Sequence, residues 1–250
     1  MKLVHITGAS AAQATSLSFN VESNVKDLEF KFYDLVLDKI SDAQYKAMRV
    51  NIKLIDNNKG DQVLIDNARF SDLLKIATFK GNPTLVVDDL IAKHYYVKLP
   101  IGVSGSLELS PTRYLEVIIT GFPETKSFSV HGVSTALKSR IAYEYKTSNL
   151  KVNSNLIVQV RRYSFVVFST VDITEVKKNF VDGSSKSFDV TDIATMIEKE
   201  RVSIVGVFNT PMKLQDQHLF LNSSSSTTNT LELKVVNDTE ITLLKTLRLK

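Results

Sequence analysis

Residues Phe30 to Phe79 read FKFYDLVLDKISDAQYKAMRVNIKLIDNNKGDQVLIDNARFSDLLKIATF. Phe30, Phe32 and Leu35 to Leu37 are the aromatic and aliphatic residues that favour a pleated surface, so the stretch opens with a strand. Ser41 and Gln44, three residues apart, can satisfy each other's backbone donors as a capping box, which predicts a turn or two of helix to about Met48. Val50, Ile52 and Leu54 then alternate with Asn51, Lys53 and Ile55. The turn Asn57-Asn58-Lys59-Gly60 reverses the chain, and Val63 to Ile65 returns as the second arm of a hairpin. Ser71 or Asp72 caps a second short helix whose apolar face is Leu73, Leu74, Ile76 and Ala77, stopped by Gly81 and Pro83.

On the amino-terminal side, Met1 to Ala14 is small and polar after its first few positions and reads as an extended arm. Leu17, Phe19 and Val21 then alternate with Ser18 and Asn20, the pattern of a half-buried strand. On the carboxyl-terminal side come strands at Thr84 to Val87, His94 to Leu99, Ser106 to Leu109 and Tyr114 to Thr120. Close punctuation by Gly, Pro and polar residues is how an all-β sandwich or barrel reads. Gly121 and Pro123 close this part, and Glu124 to Ser148 is less regular, with alternation at Phe128 to Val133 and Arg140 to Tyr145.

The second half follows the same order in shortened form. Strands at Leu156 to Val160 and Phe165 to Val171 precede Ile173-Thr174-Glu175, which echoes Ile40-Ser41-Asp42 at an offset of 133. Phe188 to Ala194 opens a helix where Phe70 to Leu73 did, with a small turn around Gly183 in place of the long hairpin. An offset of 124 then relates His94 to His218, Leu107-Glu108-Leu109 to Leu231-Glu232-Leu233, and Glu116 to Glu240. One unit used twice explains this order best. The expected fold is therefore all-β with short helical inserts: two tandem jelly-roll β-sandwiches. The expected boundaries are an arm at 1–14, a first jelly roll at 15–122, a connector with further strands at 123–148 and a second jelly roll at 149–250.

Composition bounds function more by exclusion. Apolar residues make up 43% and charged residues 23% of the 250, which suits one large or two ordinary cores and not a disordered chain. The 31 Lys and Arg against 27 Asp and Glu are scattered, with Lys177-Lys178 and Arg161-Arg162 the longest basic pairings, unlike the clustered stripe of a nucleic-acid reader. With no cysteine, disulfides and thiolate metal sites are excluded. The start, MKLVHITGAS, is too short in its apolar run for a signal peptide, and no run approaches a transmembrane span, so a protein soluble when made is expected. The sequons at Asn222 and Asn237 carry little weight on that reading.

Candidate chemistry is sparse. Asp56 to Asp61 resembles a calcium loop, yet its twelfth position is Asn67 where a bidentate Glu is needed, and Asn-rich turn chemistry explains every residue. Gly102-Val103-Ser104-Gly105-Ser106 lacks the following Lys of a phosphate loop and the spacing of a nucleophile elbow. His5, His94, His131 and His218 are isolated, without a second His at metal spacing. Asp88 and Asp89 are adjacent, so on a strand they point to opposite faces and cannot share one substrate atom. Arg161-Arg162-Tyr163 reads as a charged strand end. With no Trp and no suitably placed acid pair, a sugar-binding or glycoside-cleaving sandwich finds no support. No catalytic residue, cofactor or small-molecule substrate is expected.

The stretch from Tyr33 to Leu74 resembles the first jelly roll of the major capsid proteins of tailless, membrane-containing bacteriophages, the corticovirus type especially. The features that carry the resemblance are Ser41 and Gln44 in the small-residue turn, Arg49-Val50 opening a strand, the hairpin around Gly60, and Asp72-Leu73-Leu74 in the helix. It covers about the first eighty residues. The resemblance implies a structural virion protein that assembles as a homotrimer into pseudo-hexagonal capsomers of an icosahedral shell over an internal membrane. It implies as partners neighbouring capsomers, other capsid and membrane-associated proteins, and the lipid surface, toward which Lys2 in the arm is drawn. Synthesis in the host cytoplasm follows. The family's metal sites are not carried over, because no matching ligand set is present. The alternative expectation is a sliding-clamp-like processivity factor, although the helix at Ser71 to Phe79 offers only Lys75 to DNA and Asp189 to Lys199 is mainly acidic.

Overall fold

The computed structural model describes residues 2–6, 16–34, 47–73, 85–88, 93–121, 127–152, 156–159, 165–169, 173–189, 192, 218–222 and 228–249. Strand outweighs helix 69% to 5%, so the protein is all-β. Its backbone divides into two compact units, one of residues 1–146 with 246–250 and one of residues 147–245.

The first unit contains β1 (Lys2–Ile6), β2 (Ser16–Val21), β3 (Asp27–Asp34), β4 (Arg49–Asp56), β5 (Gln62–Arg69), β6 (Leu85–Asp88), β7 (Lys93–Pro100), β8 (Ser106–Leu107), β9 (Arg113–Thr120), β10 (Ser127–Val133) and β11 (Lys138–Ser139). The next strand, β12 (Ile141–Leu150), crosses the division at 146/147. Pairing is nested: β1 with β10, β2 with β9, β3 with β7 and β4 with β5, all antiparallel. This is the pattern of one long four-stranded-deep hairpin. Two further pairings, β10 with β3 and β4 with β9, roll that hairpin into two sheets of order β1-β10-β3-β7 and β2-β9-β4-β5. β6 extends the first sheet beside β7, β12 extends the second beside β5, and the short β8 and β11 pair in parallel.

The second unit adds β13 (Leu156–Gln159), β14 (Phe165–Ser169), β15 (Ile173–Phe180), β16 (Ser185–Asp189), β17 (His218–Asn222), β18 (Thr228–Val235) and β19 (Thr239–Arg248). The same nesting recurs. β12 neighbours β19, while β13 pairs with β18, β14 with β17 and β15 with β16. Again β19 pairs with β14 and β15 with β18, giving orders β12-β19-β14-β17 and β13-β18-β15-β16.

Alternation explains why these strands bury one face. In β4, Val50, Ile52 and Leu54 are buried, and opposite them on β9 lie Ile119, Val117 and Leu115. Leu28, Phe30 and Val130 supply the other sheet's buried residues, with Phe30 meeting Phe70 edge-on at 5.3 Å between ring centroids. In the second unit Val176 lies opposite Leu233, and Leu231, Ile241 and Leu244 are likewise buried. Each β4–β5-type hairpin turns on a glycine with positive φ, Gly60 at 81° and Gly183 at 85°.

Several expectations need correction. Lys2–Ile6 is not a free arm but strand β1, paired with β10; residues 7–15 lie outside the described set. The expected connector at 123–148 supplies β10 and β11 and most of β12, so the first unit runs past 122 to residue 146 and regains 246–250. Ser106–Leu109 yields only the two-residue β8. Ile173-Thr174-Glu175 does not start a helical turn; it opens β15, the counterpart of β4 in the nested order. The match of His94 to His218 falls on counterpart strands, β7 and β17. The matches of Leu107–Leu109 to Leu231–Leu233 and of Glu116 to Glu240 do not, because the counterpart of β18 is β9 and that of β19 is β10. Of the expected helices at 41–48, 71–79 and 189–199, the described residues are Ala47 and Met48, Ser71–Leu73, and Asp189 and Asp192, with Phe188 and Asp189 ending strand β16 instead of opening a helix; the rest lies outside the described residues.

Candidate functional site

A polar, ion-paired surface among the described residues is the outer face of β15, β16 and β18 in the second unit. β15 carries Glu175-Val176-Lys177 and β18 carries Glu232-Leu233-Lys234. Antiparallel register sets Glu175 opposite Lys234 and Lys177 opposite Glu232. The intervening Val176 and Leu233 point to the core. Lys234 Nζ lies 2.5 Å from Glu175 Oε2, and Lys177 Nζ lies 3.6 Å from Glu232 Oε1. Asn179 Nδ2 donates to Glu232 Oε1 at 2.8 Å and to Thr230 Oγ1 at 3.0 Å. With Ser187, the four charged residues line a shallow depression. The Lys234 ammonium, and after it the Ser187 hydroxyl, hold the Glu175 carboxyl below its ordinary range. Every charge here already has an opposite neighbour, so the face fixes strand register and presents alternating sign to whatever meets it. The sequence signal that marks it is the twin Glu-x-Lys, one copy on each paired strand.

A second polar cluster is buried in the first unit. Asp27 at the start of β3 is 3% exposed, with Lys98 Nζ 3.5 Å from its carboxylate. Burial pushes the Asp27 carboxyl up, against the downward pull of Lys98 and Lys26. Nearby Tyr145 is fully buried and donates its hydroxyl to the Pro100 carbonyl at 2.8 Å. That hydroxyl is also pushed well up, first by burial and then by Tyr143 and Asp27, so it remains a donor.

The residues singled out in the sequence take structural roles where they are described. Asp56 accepts N–H groups from Asn58 and Lys59 at 3.0 and 3.1 Å and faces Arg113 Nε at 3.1 Å, so its carboxylate anchors the hairpin turn. Asn67 adopts φ 46° and donates its N–H to Asn51 Oδ1 at a bulge between β4 and β5. Gly102 donates to the Lys26 carbonyl, and the buried Ser106 hydroxyl accepts the Thr135 N–H at 2.7 Å. A Cβ on Gly105 would sit 2.5 Å from the Leu137 carbonyl oxygen, so close backbone packing requires that glycine. His131 Nε2 lies 3.2 Å from Ser129 Oγ. His5, His94 and His218 occupy β1, β7 and β17, Lys2 opens β1, and Asp88 ends β6. Asp89 and Arg161-Arg162-Tyr163 lie outside the described residues. Lys177 belongs to the ion-paired face, and Lys178 lies 5.1 Å from the Phe188 ring centroid. Asn237 is exposed in the bend before β19, where Asp238 accepts from Lys151 Nζ and the Val152 N–H.

Among the described residues, no group of three or more His, Asp or Glu converges in a way that could hold a metal ion. No helix among them is long and apolar enough to cross a membrane. No known family model matches the chain, and a search of curated proteins finds no match.

Proposed function

We propose that this protein is a double jelly-roll major capsid protein, and that its trimers form near-hexagonal tiles of an icosahedral virion shell over an internal membrane. The observation that carries the reading is the nested pairing that occurs twice in one chain. Pairing first strand with last, second with seventh, third with sixth and fourth with fifth, then rolling the ribbon, generates an eight-strand jelly roll with two Greek keys. Both units follow that order. Two such wedges per chain, three chains around an axis, make six roughly equivalent wedges, which is the geometry a hexagonal tile needs. The resemblance of Tyr33 to Leu74 to corticovirus-type capsid proteins points the same way.

On this reading the chain's work is lateral contact, and no residue is assigned a catalytic role. Its partners are further copies of itself, other capsid and membrane-associated virion proteins, and the lipid surface within the shell. Its place is the virion, after synthesis in the host cytoplasm. Light scattering on the purified full chain tests the proposal: a species of three chain masses supports it. A monomer or dimer at every concentration would overturn it, and mass gain only on circular DNA would favour a clamp.

A further inference from the structure

The hairpin between β15 and β16 carries the chain's sole Asp-Gly step, Asp182-Gly183. Such a step can isomerise. The Gly183 nitrogen attacks Asp182 Cγ, a C–N bond forms, and the carboxyl oxygen leaves as water with the amide proton. Water then opens the resulting succinimide at either carbonyl, returning Asp or giving isoaspartate, with no other reactant needed. Glycine favours closure because it has no side chain to hinder the approach, and the tip is open: Asp182, Gly183 and Ser184 are exposed, and nothing lies within 4 Å of where a Gly183 Cβ would be.

Both reacting groups are nevertheless engaged by other partners. The Gly183 N–H donates to the Phe180 carbonyl at 3.2 Å, and the Phe180 N–H donates to the Ser184 carbonyl at 2.8 Å. Asp182 Oδ1 accepts the Ser184 N–H at 2.9 Å and the Ser184 hydroxyl at 2.6 Å. We infer that Asp182-Gly183 is a latent isoaspartate site and that the Ser184 hydroxyl is the positioning group that keeps it closed while the hairpin is folded. The same contacts, with the Ser184 hydroxyl first, lower the Asp182 carboxyl's pKa and so favour its ionised form, the poorer electrophile.

The test is isoaspartate content at Asp182, read by peptide mapping with mass spectrometry after long incubation of the full chain at neutral pH. The expected result is rapid accumulation in denaturant, slow accumulation in the folded wild type, and severalfold faster accumulation in folded Ser184→Ala, with Ser184→Thr restoring the wild-type rate. Circular dichroism verifies that each variant is folded. Equal rates in folded wild type and Ser184→Ala would overturn the assignment, as would a folded wild type that isomerises as fast as the unfolded chain.

Discussion

At the scale of single residues, two of the first unit's buried polar groups, Tyr145 and Asp27, differ in their costs. Tyr145 has no water to fall back on, so its hydroxyl and the Pro100 carbonyl depend on each other. Tyr145→Phe leaves that carbonyl without this donor and is expected to lower stability by about 1–2 kcal/mol, the usual penalty for a buried unsatisfied acceptor, measured as a shift in the urea midpoint at unchanged slope. Asp27 acts through pH. Its folded pKa lies above its ordinary value of 3.8, so in the interval between the two the folded chain binds the proton more readily than the unfolded chain. Its contribution to stability therefore rises as pH falls through the raised value and levels off below 3.8. Asp27→Asn removes that dependence. Urea titrations over this interval should show the wild type gaining on the variant as pH falls, and the opposite trend would contradict the assignment. Neither group was legible in the sequence, because Asp27 and Tyr145 become buried only when distant strands close over them.

At the scale of elements, the cross-strand Glu-x-Lys pairs make a claim about register. Glu175→Lys sets a lysine opposite Lys234 and is expected to lower the thermal midpoint. Lys234→Glu in the same chain restores the opposite signs and should recover most of the loss. High salt should shrink both effects, since the pair is largely exposed. A double variant no better than the sum of its singles would show that the register is not the one described. The hairpins were readable beforehand because turn chemistry is local: Asn57 to Gly60 and the glycine at 183 announce reversal whatever lies around them. Strand β1 was missed because five residues are too few to show a period and its pairing partner lies more than a hundred residues away. Strand β15 was misread because Thr174-Glu175 also resembles a helix start, and only the pairing with β16 and β18 decides between them. The offset of 124 holds for His94 and His218, on the counterpart strands β7 and β17, and then breaks. The first unit spends residues 101–112 on a loop containing β8, whereas 223–227 suffice between β17 and β18.

At the scale of the whole molecule, length and composition allowed two cores, and the nested pairing order occurs twice along the chain. On the proposed reading, a chain that carries the same wiring twice lets a three-fold ring present six similar sides. The most direct measurement is a negative-stain image of the purified full chain. The account predicts compact trimers with a pseudo-hexagonal outline, six lobes around a three-fold axis. A field of isolated single chains, or closed rings threaded on DNA, would contradict it.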